Sequence, residues 1–169
     1  AMLGVSQPTI SRRITLLESD LGAPVFERLR QGVLLTDAGQ AFLPHAQAVE
    51  WQGRCDVLVN LANEDPCQVP GKFYEYLGAG RPILHIGEGH DAAADLLLGI
   101  PRGWTCGRDP AELERRLRQL LADARAGTLG VGLDLSAEAV ADYDWTVISG
   151  RLSDRMTTLI AEHENNGGR

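Results

Sequence analysis

The stretch Ser6-Gln7-Pro8-Thr9-Ile10-Ser11-Arg12-Arg13-Ile14-Thr15-Leu16-Leu17-Glu18-Ser19-Asp20-Leu21-Gly22 opens with a residue suited to cap a helix and closes with one suited to end it. Pro8 falls in the first turn, where its missing N–H has no partner to lose. Ile10, Ile14, Leu17 and Leu21 recur at helical spacing and share one stripe. The opposite face holds Pro8, Ser11, Arg12, Thr15 and Ser19, small or hydrogen-bonding side chains with one long cation, a face suited to a DNA groove. Downstream, Arg30-Gln31-Gly32 interrupts apolar pairs and predicts a tight hairpin. Thr36 is then placed to cap a second helix through about Ala48.

The chain has 169 residues, 44% of them hydrophobic and 23% charged, a composition for one or two small folded domains and not for a disordered chain. No apolar run approaches the roughly 20 residues of a bilayer span, and no basic-then-apolar start resembles a secretory signal, so a cytoplasmic protein is expected. Sixteen Lys and Arg oppose 23 Asp and Glu, for a net charge of -7. Residues 1–50 carry four Arg against five acids and residues 51–169 carry twelve bases against eighteen. Nucleic-acid binding would therefore rest on a local face and not on bulk charge. Cys55, Cys67 and Cys106 are odd in number and widely spaced, which favours reduced thiols over a disulfide framework or a zinc site.

Beyond Val49 the pattern changes. Cys55–Leu61 is an apolar run of strand length, Gly71–Gly78 suits a helix, and Arg81–Ile86 is another strand candidate. A helix around Asp91–Leu98 and a short Trp104-Thr105-Cys106 segment follow. Asp109-Pro110-Ala111-Glu112 is a capping-box-like start to a helix striped by Leu113, Leu117, Leu120, Leu121 and Ala124. The alternation predicts a parallel α/β layer. A last helix is read from Trp145, Ile148, Leu152, Met156, Leu159 and Ile160, ahead of a polar Asn165-Asn166-Gly167-Gly168 tail.

The run Val5–Ile14, with Leu17-Glu18, Leu21-Gly22, Phe26-Glu27-Arg28, Leu35-Thr36, Ala38-Gly39 and Pro44-His45-Ala46, resembles the winged helix-turn-helix of LysR-type transcriptional regulators. The resemblance implies a sequence-specific DNA-binding regulator. Its reader helix begins at Ser6-Gln7-Pro8, the hairpin with Arg30 is its wing, and the next helix dimerises. Ser6 and Thr9 would reach phosphates, while Gln7, Ser11 and Arg12 beside Pro8 would meet base edges. Only Ala1–Val5 precede Ser6, so the helices that support such a reader are expected to be absent and DNA binding impaired.

Val69-Pro70-Gly71-Lys72-Phe73-Tyr74-Glu75-Tyr76-Leu77, with Gly80–Leu84 and the later Tyr143-Asp144-Trp145, resembles the donor-side domain of two-Rossmann-domain glycosyltransferases. That resemblance implies an alternative partner, a nucleotide diphosphate sugar, with Glu75 on the ribose, Gly71 allowing close backbone approach and Lys72 countering phosphate charge. Many retaining members carry a second glutamate where this chain has Cys67, and upstream of Arg54 the first strands of the donor domain and an acceptor domain are expected to be missing. Glycosyl transfer by this chain alone is not expected, and no catalytic residue, metal ligand or cofactor is assigned.

Gly87-Glu88-Gly89-His90-Asp91-Ala92 has phosphate-loop spacing after a strand, although ordinary turns use the same glycines. His85 and His90 lack the one-face spacing of a helical metal pair. Cys106 reads as an inert buried thiol, Asp109 as a helix cap, and Trp51, Trp104 and Trp145 as core or junction residues. The expectation is α/β overall. A truncated winged helix-turn-helix at residues 1–50 precedes a partial Rossmann-like parallel layer with a C-terminal helix at residues 51–169. The composite could be a natural fusion, an engineered one or an assembly error, and an inactive, self-associating homo-oligomeric module is a further alternative.

Overall fold

The computed structural model describes residues 6–166. Ala1–Val5, on which the expected absence of supporting helices depends, and Gly167 and Gly168 of the tail lie outside the described residues. Contacts divide the chain into two compact units, Ala1–Trp51 and Gln52–Arg169.

In the first unit, helix α1 spans Gln7–Leu21, strands β1 (Phe26–Leu29) and β2 (Gly32–Leu35) form an antiparallel hairpin, and α2 runs over Asp37–Arg54 across the division. Gly22 ends α1 with a φ of 66°, and the N–H groups of Gly22 and Ala23 close onto Ser19 and Glu18 carbonyls. Thr36 caps α2 as expected: its hydroxyl accepts the Gly39 N–H at 3.0 Å and donates to the Pro24 carbonyl at 2.6 Å. One expectation fails here. The second helix does not stop at Ala48 but continues through Trp51 to Arg54, because the change of apolar pattern at Val49 carries no backbone stop signal. On the α1 stripe Ile10 is 37% and Leu21 44% exposed, and Val25 is the one fully buried hydrophobic side chain among the unit's described residues.

The second unit is built on a three-stranded parallel sheet in the order β3 (Leu58–Leu61), β4 (Ile83–Ile86), β5 (Gly103–Cys106), as the alternation predicts. Helices α3 (Gly71–Gly78), α4 (Ala92–Gly99) and α5 (Pro110–Ala126) are interleaved with the strands; a 3-10 helix (Glu138–Tyr143) and α6 (Trp145–Asn166) follow. The central strand alternates between two apolar clusters. Ile83 packs with Phe73, Leu77, Ala93 and Leu97 on one face, and Leu84 packs with Cys106 and Leu120 on the other. Covering both faces is what lets a short parallel strand bury Ile83 and Leu84 on opposite sides.

At α5, Asp109 accepts the Glu112 N–H at 3.0 Å, but Glu112 reaches the Gly107 N–H instead of closing a reciprocal capping box. Asn165 and Asn166 belong to α6 and not to a loose tail. Trp104 packs against the second cluster, whereas Trp51 and Trp145, expected in a core or junction, are 65% and 78% exposed. All three cysteines are free thiols; burial, then Glu112, pushes the Cys106 thiol upward. No helix among the described residues is long and apolar enough to cross a membrane.

Candidate nucleic-acid interface

The first turn of α1 begins with Gln7 and Pro8, so the proline removes no helical hydrogen bond. Ser6 occupies the cap position in an extended conformation, but its hydroxyl bonds the Thr9 hydroxyl at 2.9 Å instead of a backbone N–H. That corrects the expectation of a side-chain cap. It leaves the first-turn N–H groups of α1 without a side-chain acceptor from Ser6, in a place where helix termini favour anions.

A groove of about 550 Å³ separates α1 from the hairpin. Gln7, Ser11 and Thr15 line its helix side, and Arg28, Arg30 and Val33 line its strand side. The structure therefore brings Gln7, Ser11 and Arg30 together. It places Ser6, Pro8, Thr9 and Arg12 outside the groove lining, all exposed. Arg28 is the residue that sequence reasoning missed. It pairs with Val33 across the hairpin, and the two-residue period of the strands puts both on one face, a signal present once the hairpin register is known.

The groove is held open by a specific tie. Glu18 accepts the Val25 N–H at 2.9 Å and the Phe26 N–H at 3.2 Å through the same carboxylate oxygen, which anchors the start of β1 to α1. Glu18 is thus a bracket between helix and hairpin and not merely a negative charge beside two arginines. Hydrogen bonds from two backbone donors to a carboxylate are charge-assisted and directional, so they fix the spacing of the two walls.

In the second unit the residues expected around a nucleotide sugar separate. Gly71 lines a cavity with Tyr74, Tyr143 and Trp145, but neither Lys72 nor Glu75 is among the residues lining it. Glu75 is exposed and accepts the Gln52 side-chain amide at 3.3 Å, a contact with the last turn of α2.

The glycine loop after β4 has a structural explanation. Asp91 Oδ1 accepts the Ala93 and Ala94 N–H groups at 3.0 Å each, so the N-terminus of α4 is filled by the protein's own carboxylate and not left for a phosphate. A Cβ on Gly87 would lie 2.5 Å from Asp91 Oδ2 and 2.8 Å from both His85 Nε2 and Ala62 Cβ. Glycine is needed there for packing. Asn60 Nδ2 donates to His85 Nδ1 at 2.7 Å, which leaves the ring proton on Nε2 to be donated to Asp91 Oδ2 at 2.8 Å. Asn60 and His85 are register partners on β3 and β4, so the sheet itself aligns this buried chain of polar groups.

Burial opposes the charge on Asp91, but hydrogen bonds from His85 and the Ala94 N–H outweigh it and hold the carboxyl below its usual range. A depressed folded value makes the charged form a source of stability. That contribution is complete above the unfolded value of about 4 and is lost as the pH falls through the folded one. Thermal unfolding of the native chain and of Asp91→Asn should therefore show a midpoint gap that is constant near neutral pH and narrows below about pH 4. A gap unchanged down to about pH 2 would remove this account. Among the described residues no three His, Cys, Asp or Glu side chains gather as a metal site.

Comparison with known proteins places the groove in context. The family model for the bacterial regulatory helix-turn-helix protein of the lysR family matches residues 1–40. That segment carries a LysR-type helix-turn-helix. The chain is 52% identical over 44 residues to the HTH-type transcriptional regulator BudR of Klebsiella aerogenes, covering 26% of this chain and 31% of that one. It is 53% identical over 45 residues to the HTH-type transcriptional regulator ClcR of Pseudomonas putida, covering 27% and 15%. Among solved structures, CbnR, a LysR family transcriptional regulator, aligns with a TM-score of 0.27 at 24% identity, covering 72% of this chain and 40% of that one. The chain spans less than a third of the length of these two curated relatives. None of these proteins is a glycosyltransferase, and the nucleotide-sugar and chimera expectations gain no support from them.

Proposed function

We propose that this protein is a sequence-specific DNA-binding transcriptional regulator of LysR type, with α1 as reader and the β1–β2 hairpin as wing. The observation that carries the reading is the groove in which Gln7 and Ser11 of α1 face Arg28 and Arg30 of the hairpin, braced by Glu18. Gln and Arg are side chains that pair bidentately with base edges, and the hairpin arginines offer charge to the sugar-phosphate backbone. Arg12, exposed on the same helix beyond the groove, is assigned with the neighbouring Pro8 to the base edges, and Ser6 and Thr9 to the phosphate end of α1. A cytoplasmic location and a homo-oligomer belong to the same proposal, since a second copy supplies the second reader that a two-half-site operator needs.

The test is fluorescence anisotropy of the full chain on duplexes selected in vitro from a randomised pool. Affinity should fall steeply with salt, and Arg12→Ala should weaken the selected sequence about tenfold or more while changing non-specific DNA far less. Arg30→Ala should weaken all sequences alike and lower the salt slope by about one. Failure to select any sequence at low salt would defeat the reading.

A further inference from the structure

A concavity of about 720 Å³ in the second unit lies between α3, the 3-10 helix and the first turn of α6. That volume is within the range of small-molecule sites. Its walls are Leu77, Val140, Ala141 and Ile148, and three aromatic side chains border it: Tyr74, Tyr143 and Trp145. The Tyr74 and Tyr143 ring centroids are 6.4 Å apart with their planes inclined at 38°, neither stacked nor edge-on. Trp145 is 78% exposed, a large indole held at a helix start without a core to fill.

One charged residue lines the cavity, and it is an acid. Asp144 accepts the Thr146 N–H at 2.8 Å, and its bonds to Thr146 keep the carboxyl below its usual range, so it is ionised at neutral pH. An anion would meet a carboxylate and no cation, while a neutral apolar ligand would leave that charge unused. A primary ammonium carries three N–H donors, each of which must find an acceptor in place of its water. A quaternary ammonium has no N–H to satisfy and is attracted to aromatic faces within about 6 Å.

We propose that this cavity binds a small molecule bearing a quaternary ammonium group, with Tyr74, Tyr143 and Trp145 supplying the aromatic surfaces and Asp144 the counter-charge. The site is independent of the DNA-binding unit and of any nucleotide-sugar chemistry. The room beyond the ammonium takes an alkyl or aryl substituent against Leu77 and Ile148.

Calorimetry on the full chain tests it, with choline and benzyltrimethylammonium as probes. The uncharged carbon isostere of choline, in which tert-butyl replaces trimethylammonium, is the control. Saturable heat is expected for both cations, with the isostere at least about tenfold weaker. Trp145→Ala removes only an exposed ring, and Asp144→Asn keeps a good helix cap while deleting the charge. Each should weaken choline about tenfold, Trp145→Ala with the unfolding midpoint unchanged. Equal binding of the isostere, no heat with either cation at millimolar concentration, or choline binding indifferent to Trp145→Ala would each overturn the proposal. So would uridine diphosphate competing for the cavity. A trimethyllysine peptide bound more tightly than choline would assign the ammonium to a modified protein tail and overturn the small-molecule assignment.

Discussion

Gly39→Ala is expected to abolish DNA binding and to unfold the N-terminal unit while the parallel sheet of the second unit stays intact. A Cβ at position 39 would land on the Val25 carbonyl oxygen and come within 3.0 Å of the Leu35 side chain. The Val25 carbonyl is already the acceptor for the Thr36 N–H at 3.1 Å, so it cannot turn away without breaking the link between hairpin and helix. Val25 is also the best-buried side chain among the unit's described residues. Overpacking costs about 1–3 kcal/mol where side chains can yield, and more against backbone, which is a large share of the stability of so thin a core. Hydrogen exchange should show the hairpin amides losing protection while β3, β4 and β5 keep theirs. Gly53→Ala, in the same helix with no atom near the added Cβ, is the control and should be neutral or stabilising by up to about 1 kcal/mol. Unchanged hairpin protection in Gly39→Ala would show that α2 and the wing are not coupled as described.

Arg102→Leu should destabilise the second unit by about 3 kcal/mol or more, seen as a lower midpoint in urea at unchanged slope. Arg102 is 1% exposed. Its guanidinium donates to the carbonyls of Asp134 (3.1 Å), Leu135 (3.1 Å) and Ser136 (2.8 Å), and so clamps the loop between α5 and the 3-10 helix to the start of β5. Burial pushes the arginine's pKa down and Asp134 pulls it back up, so the guanidinium stays charged at a cost partly offset by that carboxylate. Leucine fills part of the volume but leaves three carbonyls facing an apolar side chain, and an unmet buried acceptor costs about 1–3 kcal/mol. Arg102→Lys, with a point charge and no planar fork, should fall in between. A Leu variant within about 0.5 kcal/mol of the native chain would mean the loop re-solvates freely.

These two residues also show what could be read before the fold was known. Gly39 was visible only as one letter of the LysR-like pattern; that it must be glycine follows from the approach of α2 to Val25. Arg102 carried no motif at all, because its three acceptors sit more than thirty positions away. Among candidate-site residues, Ser11 was legible from helix period, Gln7 and Arg30 from the resemblance to LysR-type regulators, and the three share the groove. Arg28 was not singled out, because its side of the hairpin depends on strand register. Glu75 and Lys72 were singled out by resemblance, yet the α/β layer places them off the cavity that Gly71 borders.

The order of elements, the caps at Thr36, Asp91 and Asp109, the two-residue hairpin and the parallel character of the second unit were settled by short-range chemistry: hydrophobic period, capping side chains and turn residues act within a few positions. The partners of His85, the bracket made by Glu18 and the aromatic cavity around Asp144 were decided by packing. Asn60 and His85 are 25 positions apart, and only the alignment of β3 with β4 determines that they meet. Local pattern specifies what a segment becomes, whereas which polar groups face each other is selected by register and burial across the whole unit.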